Sequence, residues 1–535
     1  MGRSFQPSFI TYEETGKFTK IIVDYLKGSA GLKDFYTFEV NDYGIESVIE
    51  AEKKYPTNRK LLADQLQQQY QGIEDCDAVK ANIDALLREN TFTVCTAHQP
   101  NIFTGHLYFI YKVLHTIKLA EVLKGRYPAY NFVPVYFMGS EDHDLDELNH
   151  VFIDGRKYTW HTKQKGSIGK MKVDDLLLRL IDEIASRLLV EEHGSEIVDV
   201  LRKCFQKNST IAQSTFLFVH HLFKEYGLIV LLPDNNVLKN EMKDIFEQDV
   251  FENIPFKIVS KTTDALSGQY KVQVNPREIN LFYLGKDIRN RLIKKQDRYF
   301  VDDTQISFSA DELKKEIQDN PGHFSPNVII RCLYQERILP NIAFIGGGGE
   351  LAYWLEMKNL FEHYKIPFPV LVLRNSFLLI EKKVDQVLQK LGIPAKDLFQ
   401  SEHSLLNEII KKHTPLRLDL EEEKFQLRQI YNAVEALAGK TDVTLRQHVE
   451  ALEAKTLKRM DELEKKMIRA EKRKFADLKN QLSKVYSTLF PGGNLQERTE
   501  NFMLFYAGWG NDFLDVIYKN SLSLEQQFCI IEERD

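Results

Sequence analysis

Residues 92–112 read FTVCTAHQPNIFTGHLYFIYK, and this stretch decides the fold of the chain. Its apolar, β-branched start predicts a buried strand, and Gly105-His106 opens an amphipathic helix that we expect to run to about residue 124. Residues 131–138, NFVPVYFM, predict the next buried strand. Strands that alternate with helices of this length predict a parallel α/β sheet.

Three later segments extend this sheet. Residues 227–234 (GLIVLLPD), 341–364 (NIAFIGGGGELAYWLEMKNLFEHY) and 367–374 (PFPVLVLR) each begin with or contain a buried strand pattern. We therefore predict a sheet assembled from distant pieces of chain, with insertions at roughly 155–225 and 245–325. Ligands of such sheets bind at the carboxyl ends of the strands, so the loops that follow the strands are the candidate sites.

The two ends of the chain differ from this middle part. Residues 1–90 are polar and predict helices. Residues 442–490 contain almost no Gly or Pro, and apolar residues recur there at spacings of three and four. This pattern predicts a long amphipathic helix that forms half of a coiled coil or of an antiparallel helical hairpin, and Pro491-Gly492-Gly493 ends it.

Composition limits the class of protein. A chain of 535 residues with 43% hydrophobic residues is large enough for two or three domains. Its net charge of −6 gives no overall basic field for nucleic acid. Its five cysteines are dispersed without CxxC pairing, which indicates a reducing compartment and no thiolate zinc site. The sequence has no signal core and no run of ~20 apolar residues, so we expect a cytoplasmic protein without a membrane span.

The first loop, residues 98–106 (HQPNIFTGH), is the first candidate site. A helix that starts directly after a strand presents unpaired N–H groups and a partial positive charge to phosphate or carboxylate oxygens. Imidazoles beside it can stabilise the charge that develops on a phosphate. We assign His106 as a catalytic candidate, and the substrate-binding candidates of this loop are His98, Gln99, Asn101 and Gly105. The alternative is a helix cap with surface histidines.

The acidic loop, residues 141–144 (EDHD), follows the second strand. Its three carboxylates and one imidazole can bind an amine, coordinate a metal or act as a general base. We assign Asp142 and His143 as catalytic candidates, and Glu141 and Asp144 as substrate-binding candidates. The alternative is an acidic helix start stabilised by the helix dipole. No residue is assigned as a metal ligand, and zinc is disfavoured because no thiolate completes a ligand set.

The glycine loop, residues 346–350 (GGGGE), follows a later strand. Four successive glycines allow a ligand to approach the backbone closely, or form a tight turn alone. Arg331 can clamp a carboxylate or phosphate with two N–H groups, although a structural ion pair explains this arginine equally well. The substrate-binding candidates from this region are Gly346, Gly348, Glu350, Tyr353, Arg331, Gln335, Asn341 and Arg374.

The chain resembles, over essentially its full length, the bacillithiol biosynthesis cysteine-adding enzyme family, the BshC cysteine ligases. The segments that carry the resemblance are HQPNIFTGHLYFIYK, FMGSEDHDLDELNHV, FSPNVIIRCLYQERILPNIAFIGGGGELAYW and QERTENFMLFY. The resemblance implies a Rossmann-like parallel-sheet core with inserted connecting-peptide segments and a C-terminal α-helical coiled coil. We place the core at residues 1–385, the helical region with the coiled coil at 386–492, and a tail that packs back on the core at 493–535.

The activity implied by the resemblance is the addition of L-cysteine to glucosaminyl-malate, the last step of bacillithiol synthesis, with formation of an amide bond. The relationship to class I synthetases implies ATP-dependent activation of the carboxylate, and whether a metal takes part stays open. The coiled coil implies a homodimer. Two other hypotheses remain: a nucleotidylyltransferase that acts on another small molecule, and a nucleotide-binding scaffold whose coiled coil recruits pathway enzymes.

Overall fold

The central sheet has five parallel strands. The computed structural model describes residues 3–413, 419–472 and 476–534. In chain order the strands are β1 (Thr91–His98), β2 (Asn131–Met138), β3 (Ile229–Leu231), β4 (Asn341–Gly346) and β5 (Val370–Leu373). They pair in the order β5-β4-β1-β2-β3, which is the 3-2-1-4-5 order of a Rossmann-type sheet. The predicted parallel α/β fold is thus confirmed.

Burial explains why these strands appear in the sequence as continuous apolar runs. All residues of β4 and β5 are buried, and so are all residues of β1 except the last. The helix that follows β1 is α1 (Tyr108–Arg126), and its Leu119 and Leu123 belong to the same core cluster as Phe92 and Val94 of β1. A parallel sheet is covered on both faces, so its strands carry apolar side chains on both sides.

Two long insertions separate the strands. Between β2 and β3 the elements are the helices Leu145–Leu148, Asp175–Leu188, Gly194–Cys204 and Ile211–Phe223, and the hairpin of His150–Ile153 with Arg156–Thr159. Between β3 and β4 the chain builds an antiparallel sheet from Leu281–Gly285, Ile288–Lys295, Arg298–Val301, Ser307–Phe308 and Phe324–Pro326. The helices of this second insertion are Asn236–Lys239, Lys243–Glu247, Ile254–Ser267, Ala310–Asp319 and α2 (Val328–Ile338).

The start of the chain corrects one prediction. Phe5–Ile10 forms a strand, so the expectation that residues 1–90 are helical is wrong there. This strand belongs to a three-stranded sheet with Phe528–Glu533 and Ser376–Ile380. Partners so distant along the chain leave no local pattern that periodicity can detect. The helices that follow are Lys20–Leu26, Asp42–Glu52, Arg59–Gln69 and Asp77–Ala85.

The chain divides into two compact units. The first comprises Met1–Leu378 and Asn494–Ile531, so the tail after the helical region belongs with the sheet. Its remaining helices are α3 (Gly348–Trp354), Lys358–Tyr364, Met503–Trp509 and Asn511–Asn520. The second unit comprises Leu379–Gly493 and Glu532–Asp535. Among the helices that the structure describes, none combines the length and the apolar character of a membrane span.

The second unit contains a helical hairpin. Its helices are Lys382–Leu391, Glu402–His413, α4 (Glu421–Thr441), α5 (Leu445–Lys472) and α6 (Ala476–Leu489). Lys424 Nζ lies 2.8 Å from Glu464 Oε2, and Tyr431 Oη lies 2.8 Å from Thr456 Oγ1, so α4 and α5 run antiparallel. The antiparallel hairpin is thus the predicted alternative that the structure adopts. Residues 473–475 of the predicted helix 442–490 lie outside the described residues.

Candidate active site at the carboxyl edge of the sheet

A cavity of about 600 Å³ opens at the carboxyl ends of the parallel strands. Ala97 and His98 at the end of β1 line it, and so do residues 347–350 after β4. β1 and β4 are neighbours in the sheet, and the chain leaves them in opposite directions, toward β2 and toward β5. This is the topological switch point of a Rossmann-type sheet, where open α/β sheets bind ligands.

The cavity brings together about half of the candidate site residues. Those that line it are His98, Gln99, Glu141, Asp142, Arg331, Gly348, Glu350, Tyr353 and Arg374. The other candidates, although all described by the structure, do not line it: Asn101, Gly105, His106, His143, Asp144, Gln335, Asn341 and Gly346. The first loop, the acidic loop, the glycine loop and α2 therefore meet at one place, but each contributes only some of its candidates.

The acidic loop is neutralised by cations of the protein itself. Glu141 forms an ion pair with Lys239, whose buried side chain also lies 3.0 Å from Asp234. Against the effect of burial, the charge of Arg289 and a hydrogen bond from the Gln99 side chain keep the pKa of Asp142 below its usual value. These carboxylates are thus compensated before any substrate binds. Within the described chain, no group of three or more His, Cys, Asp or Glu side chains is arranged to hold a metal ion.

His143 contacts a cavity residue rather than the cavity. Arg289 Nη1 lies 2.7 Å from His143 Nδ1, and a guanidinium can only donate, so Nδ1 accepts and the ring proton belongs on Nε2. Burial and the charge of Arg289 lower the pKa of His143, so the ring is neutral at pH 7. His143 is therefore placed to orient Arg289.

The two histidines of the first loop occupy different positions. His98 lines the cavity, and its buried Nε2 has no hydrogen-bond partner among the described residues. Burial lowers the pKa of His98 well below its usual value, so its ring is also neutral. His106 does not line the cavity; it contacts the ring of Tyr108, which does, and the ring of His150, which does not. Of the two imidazoles, His98 is the one placed to meet a ligand.

The tail covers the start of α1. Leu107 N donates to Glu500 O at 2.7 Å. Asn501 Nδ2 donates to Phe103 O at 3.0 Å and also to Gly105 O. The N–H group of Leu107, which the sequence predicts to be free for a phosphate, therefore donates to the protein's own backbone. Local sequence carries no sign of this contact, because the two segments are far apart in the chain.

The glycine loop connects the end of β4 to a buried lysine of α1. Glu350 Oε2 accepts hydrogen bonds from Gly347 N and from Lys112 Nζ, each at 2.7 Å. Lys112 is completely buried, so Glu350 supplies the counter-ion that a buried ammonium requires. Gly346 has a packing requirement, because an added Cβ would lie 2.6 Å from the Leu351 side chain. The loop therefore fixes α3 relative to α1.

Two cations and one carboxylate of the cavity remain uncompensated. Arg331 Nη2 donates to Tyr353 Oη at 2.7 Å, but its buried Nη1 has no hydrogen-bond partner in the described chain. Arg498 and Glu147 also line the cavity, and neither forms an ion pair with another described residue. The cavity thus offers cationic groups for anions and, separately, a carboxylate for an ammonium group.

Gln335 and Asn341 belong to a separate, buried polar cluster. Glu336 accepts hydrogen bonds from Gln335 Nε2 at 2.6 Å and from Asn341 Nδ2 at 3.1 Å. Asn341 opens β4, whereas the cavity lies at the far end of that strand, and each residue between them adds about 3.3 Å. Helical spacing predicts a shared face for Arg331 and Gln335, but only Arg331 reaches the cavity. The predicted binding roles of Gln335 and Asn341 thus have no support in the geometry.

Several cavity residues are absent from the sequence-based candidates. They are Tyr108, Glu147, Gln273, Arg289, Tyr334 and Arg498, among others. Glu147 and Arg498 lie in segments that carry the family resemblance, which is a usable signal. Gln273 and Arg289 come from the insertion before β4, where no local motif marks them.

A Rossmann-type sheet with a charged cavity at its switch point defines the class: a Rossmann-like α/β protein with a small-molecule site. Residues 6–375 match the family model described as "Bacillithiol biosynthesis BshC, N-terminal Rossmann-like domain". Residues 377–533 match "Bacillithiol biosynthesis BshC, C-terminal coiled-coil domain". The chain belongs to the BshC family of bacillithiol biosynthesis, which confirms the resemblance.

Similar curated proteins carry the name "Putative cysteine ligase BshC". The protein from Flavobacterium johnsoniae is 38% identical over 524 residues, which are 98% of this chain and 99% of that protein. The protein from Christiangramia forsetii is 39% identical over 530 residues, 98% of each. A solved structure titled "putative arginyl t-RNA synthetase" from Campylobacter jejuni covers 85% of this chain and 100% of its own at 10% identity. Its TM-score of 0.22 is too low to support an argument.

Proposed function

We propose that this protein is a ligase that joins L-cysteine to glucosaminyl-malate through an amide bond, using ATP to activate the cysteine carboxylate. Its family and the names of its relatives support cysteine ligation in bacillithiol biosynthesis. The observation that carries the substrate assignment is the uncompensated charge of the cavity, on Arg331, Arg498 and Glu147. Glucosaminyl-malate has two carboxylates and one amine, so its groups are complementary to these three charges.

Amide formation requires an activated acyl group, because a free carboxylate does not react with an amine. ATP, when bound, would supply the activating group. A cavity of about 600 Å³ with unpaired arginines and an open glycine at Gly349 has the space and the donors for phosphate groups. In the ligation step the glucosamine nitrogen bonds to the cysteine carbonyl carbon, the activating group leaves with one carboxyl oxygen, and the nitrogen loses a proton.

Glu147 is the group that we assign to the amine. Its carboxylate can hold the glucosamine ammonium and accept the proton released on ligation. Burial and the nearby charges of Asp144 and Asp142 raise the pKa of Glu147, which moves it toward the range of a general base. In this assignment Asp142 and His143 position Arg289 and do not contact the reacting atoms.

We further propose that the protein acts as a cytoplasmic homodimer. The hairpin of α4 and α5 exposes a series of large apolar side chains: Phe425, Ile430, Val434, Leu437, Val443, Leu445, Leu452 and Leu463. Burying them against a second copy would remove this surface from water. The five cysteines are free and buried, which agrees with a reducing compartment.

Mass spectrometry of the products formed from glucosaminyl-malate, cysteine and ATP tests the activity. We expect wild type to form the cysteinyl product, and Arg331→Gln and Glu147→Gln to lose about 10-fold or more in kcat/KM, because each removes a charged contact.

Asp142→Ala should also lose activity, since it frees Arg289. His106→Ala should retain most of its activity because His106 lies outside the cavity. Arg179→Gln, which changes an exposed arginine away from the cavity, is the matched control.

Three outcomes would contradict the proposal. Absence of product from the wild type with all three substrates would refute the ligase activity. Pyrophosphate exchange into ATP that does not require cysteine would favour the nucleotidylyltransferase hypothesis. Restoration of bacillithiol in a deletion strain by the coiled-coil region alone would favour the scaffold hypothesis.

A further inference from the structure

Residues 269–280, which we call the strap, connect the helix Ile254–Ser267 to the strand Leu281–Gly285 and form neither helix nor strand themselves. Gln273, near the middle of the strap, lines the cavity and is also exposed to solvent. A segment without a backbone ladder of its own depends for its position on contacts with the surrounding structure. Tyr270 Oη donates to Asp24 at 2.9 Å, Asn253 Nδ2 donates to Glu278 O at 2.6 Å, and Val274 is buried. Further contacts that position the strap are made with two buried carboxylates.

Glu356 holds the strap at Gln273. Its carboxylate is 1% exposed, and it accepts hydrogen bonds from Gln273 N at 2.7 Å and from Val274 N at 3.4 Å. Glu356 lies in the turn directly after α3, and α3 begins in the glycine loop that lines the cavity. The strap is therefore attached to the element that forms the opposite side of the same site.

Asn280 anchors the C-terminal end of the strap. Asp249, which is completely buried, accepts hydrogen bonds from Asn280 N at 2.7 Å and from Asn280 Nδ2 at 2.9 Å. Asn280 O and Oδ1 in turn accept from N and Nδ2 of Asn327, both at 2.9 Å. Four hydrogen bonds hold this end, against two at Glu356, so Asn280 is the firmer attachment.

The attachment at Glu356 is costly to maintain. Among the described residues Glu356 forms no ion pair, and the two backbone N–H groups of the strap are its hydrogen-bond donors. Burial raises the pKa of Glu356 to about 7, as expected for a carboxylate that is removed from water without a cation. Release of the strap would return this carboxylate to water and recover part of that cost. Asp249 is likewise buried without a cation, and its pKa is likewise raised to about 7, so this cost does not distinguish the two attachments. The number of hydrogen bonds does: with two at Glu356 against four at Asn280, the strap separates at Glu356 more easily than at Asn280.

We propose that the strap is a movable wall of the cavity, which opens at Gln273 and Val274, pivots at Asn280 and closes when Glu356 binds the two backbone N–H groups. Glu356 is then a positioning residue, because it acts through the strap. The inference rests on the proposed function, since an activated cysteine carboxylate must be protected from water until the amine reacts. The open strap admits substrates, and the closed strap brings Gln273 to them.

Amide hydrogen exchange on the full chain, resolved to single residues by mass spectrometry, tests this order of opening without requiring turnover. In the free wild type the amides of Gln273 and Val274 should exchange about 10-fold or more faster than that of Asn280. Glu356→Gln should accelerate exchange at Gln273 and Val274 by about another 10-fold and leave Asn280 unchanged. Glu362→Gln, whose carboxylate is 61% exposed on the next helix, is the matched control and should behave as wild type.

Catalytic readouts complement the exchange data. Glu356→Gln should consume more ATP per product formed, because water enters an incompletely closed cavity. Gln273→Ala keeps the backbone contacts of the strap, so it should raise KM without changing exchange.

Equal exchange at Gln273 and Asn280 in the free wild type would overturn the inference, and so would identical behaviour of Glu356→Gln and Glu362→Gln. The wild-type comparison decides the question even if Glu356→Gln folds poorly, whereas absence of product from the wild type would count against the proposed function alone.

Discussion

Arg374 lies directly after β5 with 3% of its side chain exposed. Its guanidinium forms two hydrogen bonds with Glu497, at 2.6 and 2.9 Å, and another with Ser376 Oγ at 3.0 Å. It also lies over the ring of Tyr108, 5.1 Å from the ring centre. A buried charge needs such a counter-ion, because an isolated one costs several kcal/mol. The tail thus supplies the partner of a cavity residue.

Removal of this counter-ion should destabilise the protein strongly. We expect Glu497→Gln to lower the free energy of unfolding by about 3–5 kcal/mol, because the guanidinium stays buried without a neutralising charge. Urea denaturation measures the loss. Glu192→Gln is the control, since Glu192 pairs with Arg3 at the surface, where an ion pair contributes about 0–1 kcal/mol. Equal small losses in both variants would contradict the role given to Glu497.

At the scale of elements, the turn between β1 and α1 requires an unusual backbone. Phe103, Thr104 and Gly105 have φ values of 51°, 69° and 69°, in the left-handed region. At Gly105 an added Cβ would also lie 2.8 Å from Asn101 Cβ. Both the conformation and the close contact favour glycine at this position. The turn is what directs the chain from the end of β1 into α1.

Gly105→Ala should therefore lower the free energy of unfolding by about 1–3 kcal/mol. Calorimetric melting of the full chain measures this effect. Gly349→Ala is the control, because a Cβ there meets no atom within 4 Å and the residue lies in the first turn of α3. That variant should melt at or slightly above the wild-type temperature, since Ala is preferred in helices by about 1 kcal/mol. If Gly105→Ala melted like wild type, the turn would not depend on glycine.

At the scale of the whole molecule, several carboxyl groups are buried without a cation. Burial raises the pKa of Asp249 and of Glu356 to about 7, and that of Glu336 to about 8. The native protein thus keeps protons on these groups after the unfolded chain has released them. Their contribution to stability is complete below the unfolded pKa values, declines as the pH rises above them, and is fully lost once the pH has passed the native values.

The contribution of these three groups to the free energy of unfolding should accordingly fall between about pH 4 and pH 8. For Asp249 alone, a pKa raised from 3.8 to about 7 corresponds to about 4 kcal/mol. Asp249→Asn removes the titrating group and should make the decline shallower, as measured by denaturation midpoints at a series of pH values. Asp264→Asn, which changes an exposed carboxylate, should retain the wild-type slope. An Asp249→Asn slope equal to that of the wild type would contradict the prediction.

The sequence by itself determined the five parallel strands, α1 and a long amphipathic helix in the C-terminal part, because each of these signals lies within one element. It leaves open whether that helix belongs to a coiled coil or to an antiparallel hairpin. Continuous apolar runs mark strands that are buried on both faces, and spacings of three and four mark helices. It also determined that the first loop, the acidic loop and the glycine loop meet, because parallel strands end at one edge of their sheet. Arg498 and Glu147 lie in segments that resemble the family, but the resemblance did not single them out as site residues.

Only the tertiary structure decided which groups are free to meet a ligand. Lys239 and Arg289 neutralise the acidic loop, and the tail covers the start of α1. Asn341, although close to the glycine loop in sequence, lies at the opposite end of β4. The physical reason is that the pairing of a charged side chain and its burial away from water both depend on distances between residues that are far apart along the chain. Local periodicity contains no information about those distances.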